Sequence, residues 1–144
     1  MSETDKKHTI LIVEDEAALR SALSDKFIRE GFSVSEAKDG EAGYELALSL
    51  KPDLILLDMM MPKTDGMTML KKLRPQNEWS KKVPVLLLTN FGSDNRLVMR
   101  EIADDPAAHY LVKSNWPIEK LVTKVRETLA GRPYAGPSAM TRGS

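Results

Sequence analysis

Residues 52–66 read PDLILLDMMMPKTDG, and within them residues 53–58 (DLILLD) set four apolar side chains, Leu54 to Leu57, in an unbroken row between two carboxylates. A strand with one wet face alternates apolar and polar residues. An unbroken row marks a strand buried on both faces, the pattern of a parallel sheet covered by helices on both sides.

Working outward, residues 8–13 (HTILIV) and 83–89 (VPVLLLT) repeat that pattern, while residues 32–37 (FSVSEA) alternate more and residues 108–113 (AHYLVK) supply a fifth run. Between the runs the period becomes helical. Residues 16–30 carry Leu19, Leu23 and Phe27 four apart, and residues 40–50 carry Tyr44, Ala47 and Leu48. Residues 66–74 form a short helix ended by Pro75, residues 94–103 carry Leu97, Val98 and Ile102, and residues 116–130 carry Leu121, Val125 and Leu129. Gly31 suits a helix C-terminus and Asn115 an N-cap. The order is strand–helix five times over. It predicts an α/β, doubly wound (βα)5 flavodoxin-like three-layer sandwich, its parallel five-stranded sheet ordered 2-1-3-4-5.

The 144 residues suit one domain, expected over residues 8–130, with flexible tails at 1–7 and 131–144. The final GRPYAGPSAMTRGS is rich in Gly, Pro and Ser and reads as a linker, a natural end or a cloning remnant. Lys plus Arg equals Asp plus Glu, 21 against 21, so the composition gives no electrostatic footprint for nucleic acid or an anionic membrane. There is no cysteine, which excludes disulfides and thiolate chemistry. No apolar run reaches the roughly 18 residues of a membrane span, and residues 1–7 lack the apolar stretch of a signal peptide. A cytoplasmic location is expected.

Ligands of such sheets bind at the carboxyl ends of the strands, near the point where strand order reverses. That rule selects Glu14 and Asp15 after strand one, Asp58 at the end of strand three, Thr89 after strand four and Lys113 after strand five. Each has an ordinary reading by itself. Asp15 could cap a helix, Asp58 could end its strand, Thr89 is a good strand former and Lys113 could snorkel to solvent. Tyr110 could be core or surface. Acids, a hydroxyl and a lysine at four strand ends are harder to explain separately. Clustered carboxylates raise a pKa or take up a cation, and a hard divalent ion such as Mg²⁺ takes oxygen ligands.

The stretches ILIVEDE (10–16), DGEAGYELA (39–47), PDLILLDMMMPKTDG (52–66), PVLLLTN (84–90) and YLVK (110–113) together resemble the receiver domain of two-component response regulators, over residues 8 to about 130. The resemblance implies a cytoplasmic, bacterial phosphoacceptor rather than a turnover enzyme. In this reading Asp58 accepts a phosphoryl group from a sensor histidine kinase or phosphotransfer protein. Asp15, Glu14, Asp58 and the backbone carbonyl of Met60 hold Mg²⁺ or Mn²⁺, and Lys113 pairs with the phosphoryl group. Thr89 and Tyr110 form a switch that repacks the surface of the fourth helix, fifth strand and last helix.

Three departures matter. Ser114 follows Lys113 where the family often has proline after a cis bond, and a cis bond is expected here despite its cost of roughly 3 kcal/mol. Met60 and Phe91 occupy the positions that tune hydrolysis, and two apolar side chains there imply a long-lived phosphoryl state. His109 stands where one large DNA-binding subgroup has an acid, which argues against that subgroup's dimer; a homodimer formed on phosphorylation otherwise stays open. His109 reads as a strand or surface residue. Two rival readings are an aspartyl-phosphate phosphohydrolase, which usually carries an acid where Met60 stands, and a receiver-like scaffold that is never phosphorylated, in which one of the acids or the lysine is usually lost.

Overall fold

The computed structural model describes residues 7–59, 65–89 and 99–131. Five strands, β1 (Thr9–Val13), β2 (Ser33–Ala37), β3 (Leu54–Asp58), β4 (Val85–Thr89) and β5 (Ala108–Val112), form one sheet of order β2-β1-β3-β4-β5. All four pairings are parallel. The helices are α1 (Ala17–Arg29), α2 (Gly40–Leu50), α3 (Gly66–Leu73), α4 (Glu78–Lys82) and α5 (Ile118–Leu129). Residues 99–101 are also helical. The expected doubly wound sandwich and its strand order are both present.

The unbroken apolar runs work as the period-two geometry requires. Leu11, Val13, Ile55, Leu57, Val85 and Leu87 face one side, with Ala47 of α2 and Met69 and Leu73 of α3. Ile10, Ile12, Leu54, Leu56, Leu86 and Leu88 face the other, with Leu23 and Phe27 of α1 and Leu121 and Val125 of α5. Each fully buried side chain of this size contributes roughly 1.5–3 kcal/mol of transfer free energy, so the three central strands fix the register of the whole sheet. The edge strands β2 and β5 are only partly buried, which explains the alternation in residues 32–37. Gly31, at φ +101°, ends α1 as expected.

Some expectations are corrected. The Lys113–Ser114 peptide is trans; serine lacks the tertiary amide that makes cis bonds affordable. The chain turns instead through a short 3₁₀ segment, Lys113–Asn115. Asn115 lies inside that turn and does not cap α5, whose N-cap position is Pro117 without a side-chain hydrogen bond. Asp15 does not cap α1 either: the N-cap position is Glu16, again without a side-chain bond. Of the helix expected over residues 94–103, residues 94–98 lie outside the described residues.

Helix α4 has too short a period to read from sequence. Asn77 and Ser80 close a reciprocal capping box around its start. Beside it Arg74, at the C-terminus of α3, gathers what would otherwise be a loose crossover. Its Nε donates to Asp105 Oδ2 at 2.8 Å, and its Nη1 donates to the carbonyls of Ser80 at 3.0 Å and Val83 at 2.7 Å. This clamp ties the entry to β4 to the entry to β5, and so sets where Thr89 and Lys113 emerge.

Arg74→Ala leaves three acceptors without their donor. We expect a loss of about 2–4 kcal/mol in urea melts, with little recovery in Arg74→Lys, which lacks the planar fork of donors. A loss within the range of neutral surface changes would show that the clamp is not holding the crossover.

Candidate functional site

The register decides which residues meet. Val13 pairs with Leu57, Asp58 with Leu88 and Thr89 with Val112. The residues that follow or end these pairs, Glu14, Asp58, Thr89 and Lys113, therefore step along one edge of the sheet, where order reverses between β1 and β3. Asp58 is 3% exposed and Glu14 1% exposed, which places two carboxylates inside the protein. Asp15 is exposed beside them. One carboxylate oxygen from each of Glu14, Asp15 and Asp58 lies within 4.8 Å of the others.

Lys113 reaches into this cluster rather than out to solvent. Its Nζ is 3.3 Å from Asp58 Oδ1 and 3.5 Å from Glu14 Oε1. Among the described residues, one ammonium faces three carboxylates, which leaves them short of positive charge. Glu14 shows the strain of that balance. Its Oε2 accepts the Glu16 N–H at 3.1 Å, while its Oε1 is buried without a hydrogen-bond partner. Burial chiefly pushes the Glu14 carboxyl up to about 7; the Asp58 carboxylate adds to the rise, and the Glu16 N–H and Lys113 oppose it.

The donor set fits a hard divalent cation. It consists of carboxylate oxygens, one of them buried with no hydrogen-bond donor, and Asp15 among them is exposed. Added positive charge here would bring Glu14 back toward the ordinary carboxylate range.

Thr89, the last residue of β4, is buried. Tyr110 is half-buried in β5 and pairs with Leu87, so it faces the same side of the sheet as Thr89. Its hydroxyl donates to Met99 Sδ at 3.1 Å. His109 pairs with Leu86, away from the carboxyl ends of the strands, and burial followed by the nearby Lys124 lowers its pKa. It is a strand residue of the edge, as expected. Met60 and Phe91 lie outside the described residues.

Two residues escaped the sequence reading. Arg20 Nη1 donates to the Glu14 carbonyl at 2.8 Å and its Nε to Glu36 at 3.3 Å, which anchors the turn that carries Glu14 and Asp15. An arginine on a helix face carries no signal that separates it from a solvated one. Gly66 donates its N–H to the Met59 carbonyl at 3.1 Å, and a Cβ there would lie 2.6 Å from the Asp58 carbonyl oxygen. The Asp65-Gly66 pair marks a turn in the sequence, and only the close approach to Asp58 explains why the second residue is glycine.

Comparison with known proteins agrees with this arrangement. Residues 10–126 match the family model of the response regulator receiver domain. The chain is 38% identical over 120 residues to the DNA-binding dual master transcriptional regulator RpaA of Synechocystis sp., covering 83% of this chain and 48% of that protein. It is equally 38% identical to the transcriptional regulatory protein SrrA of Staphylococcus aureus, over 83% of this chain and 47% of that one. The chain thus spans about half the length of these curated relatives. Among solved structures, the chemotaxis protein CheY4 of Vibrio cholerae superposes with a TM-score of 0.74 at 27% identity, covering 85% of this chain and 98% of that one. A putative response regulator from Chloroflexus aurantiacus gives 0.74 at 30% identity, with 87% and 99% covered. With fold, strand-end carboxylates and sequence in agreement, the chain belongs to the response regulator receiver domain family of two-component systems.

Proposed function

We propose that Asp58 accepts a phosphoryl group from a phosphohistidine of a sensor kinase or phosphotransfer protein. The observation that carries this reading is the Lys113 ammonium between Asp58 and Glu14, at 3.3 and 3.5 Å, inside a cluster of three carboxylates. A catalytically idle strand end has no reason to bury two acids around one lysine.

In the step itself an Asp58 oxygen forms a bond to phosphorus as the donor's N–P bond breaks, and the electron pair leaves on the imidazole nitrogen. Lys113 shifts from carboxylate oxygens to the oxygens of the incoming group and stabilises their charge. Glu14, Asp15, Asp58 and the carbonyl of Met60 are the ligands for Mg²⁺ or Mn²⁺, which when bound neutralises charge on the transferring group. The product on Asp58 is a mixed anhydride. Its oxygens attract the Thr89 hydroxyl, and Tyr110, on the same side of the sheet, moves toward the space Thr89 leaves. That repacks the face of β5, α5 and the described residues 99–103 before β5 for an output partner. No group in this scheme activates water, so the phosphoryl group is expected to persist. The working unit is residues 8–130, it turns over no other substrate, and its setting is the cytoplasm.

Incubation with acetyl phosphate and Mg²⁺ should raise the intact mass by one phosphoryl group, with no gain in Asp58→Asn or in EDTA. A gain retained in Asp58→Asn would move the acceptor elsewhere, and no gain in the parent chain would remove the reading.

The pH dependence has a defined sign. An unfolded glutamate ionises near 4.5, whereas Glu14 in the metal-free fold holds its proton to about 7. The folded state therefore binds more protons in that window, and this site subtracts stability progressively as pH rises from about 4.5 to about 7. Mg²⁺ should raise Tm more at pH 8 than at pH 5.5, because at low pH it must displace a proton. Equal shifts at both pH values, measured by thermal melts in EDTA and in Mg²⁺, would contradict the placement of Glu14 at the metal.

A further inference from the structure

Among the described methionines Met99 is the exposed one, at 42%; Met69 is fully buried, Met59 is 9% exposed and Met67 is partly buried against the core. Its Sδ accepts the Tyr110 hydroxyl at 3.1 Å. The contact sits in an open cleft of about 270 Å³ whose lining also includes Ile102, Asp105, Pro106 and His109. A thioether is a weak acceptor, and solvent-accessible thioethers are the ones oxidants reach.

We infer that Met99 is an oxidation site whose sulfoxide restrains Tyr110. The sulfur lone pair attacks one oxygen of a peroxide, the O–O bond breaks, and that oxygen stays on sulfur. Met99 is oxidised by two electrons, and the peroxide is reduced, leaving as water when the oxidant is H₂O₂. The product replaces a weak sulfur acceptor with a strongly polar oxygen beside the Tyr110 hydroxyl.

The segment that carries Met99 is tied down, so the new oxygen stays within reach. Lys71 of α3 pairs with Glu101, and Arg74 pairs with Asp105. The cleft lined by Met99 and Tyr110 is open to solvent, so an oxidant can reach the sulfur there.

The consequence rests on the reading of Tyr110 as a switch. If Tyr110 must leave Met99 for the active arrangement, a stronger hydrogen bond at Met99 opposes activation. A difference of one good hydrogen bond corresponds to roughly a tenfold shift in the equilibrium. The site would then lower phosphorylation signalling in peroxide and recover when a methionine sulfoxide reductase restores the thioether.

The test uses the full chain and limited H₂O₂. Peptide mapping should find Met99 oxidised well ahead of Met59 and Met69, and the Tyr110 ring resonances should move in the parent chain and stay fixed in Met99→Leu. Calorimetric titration with beryllium trifluoride and Mg²⁺ should show roughly tenfold weaker apparent affinity after oxidation. Sulfoxide reductase should restore that affinity, and Met99→Leu should be insensitive to peroxide. The inference fails if Met99 oxidises no faster than the buried methionines, if Tyr110 does not respond, or if Met99→Leu loses affinity as the parent does. Absence of beryllium trifluoride binding before oxidation would instead count against Asp58 as acceptor; the peptide map and the Tyr110 resonances, which need no phosphoryl group, would still decide the oxidation site.

Discussion

An unbalanced charge sits where the parallel strands end. Two carboxylates, those of Glu14 and Asp58, are taken out of water at the edge of the sheet, with a third, Asp15, close by and Lys113 among them. Burial of like charges is costly unless something compensates, and the Glu14 carboxyl responds by holding its proton to about 7. The sheet can bear this because its three central strands are locked on both faces by apolar packing. Stability generated in those two layers is what allows the edge to be kept in this charge-strained arrangement.

The fold was legible because its strongest signal is a packing constraint. Unbroken rows such as Leu54–Leu57 leave no polar face, so a sheet with helices on both sides is nearly forced, and alternation with helical segments supplies the order. The edge residues were legible for a related reason. Once the strand order is given, Glu14, Asp58, Thr89 and Lys113 must fall along one rim. The roles proposed for them come from the resemblance, whereas their closeness follows from the register.

What could not be read depended on long-range partners or on single backbone positions. Arg74 looks like a solvated helix-terminal residue until Asp105 comes within 2.8 Å from a distant part of the chain. Helix α4 is too short for a period and is specified by its capping box. Asn115 is a plausible cap in isolation, but the 3₁₀ turn after Lys113 takes it up. That same turn brings Lys113 to the acids with an ordinary trans peptide, so the family's usual proline device is not needed to place it. Gly66 is glycine because of the Asp58 carbonyl, a contact invisible to any local pattern.

The half of the molecule around Tyr110 and Met99 shows how the charged edge and the outer face are joined. Tyr110 lies on the same side of the sheet as Thr89, and α3 grips the intervening segment through Lys71 and Arg74. The role proposed for the carboxylate cluster is to hold a cation and a phosphoryl group. A crystal structure grown with Mn²⁺ and beryllium trifluoride, with data collected at the manganese edge, tests it directly. The account predicts an anomalous peak among the oxygens of Glu14, Asp15 and Asp58, with the fluoride group on Asp58 and against Lys113. A crystal with no anomalous peak in the cluster, or with the fluoride group bound elsewhere, would contradict it.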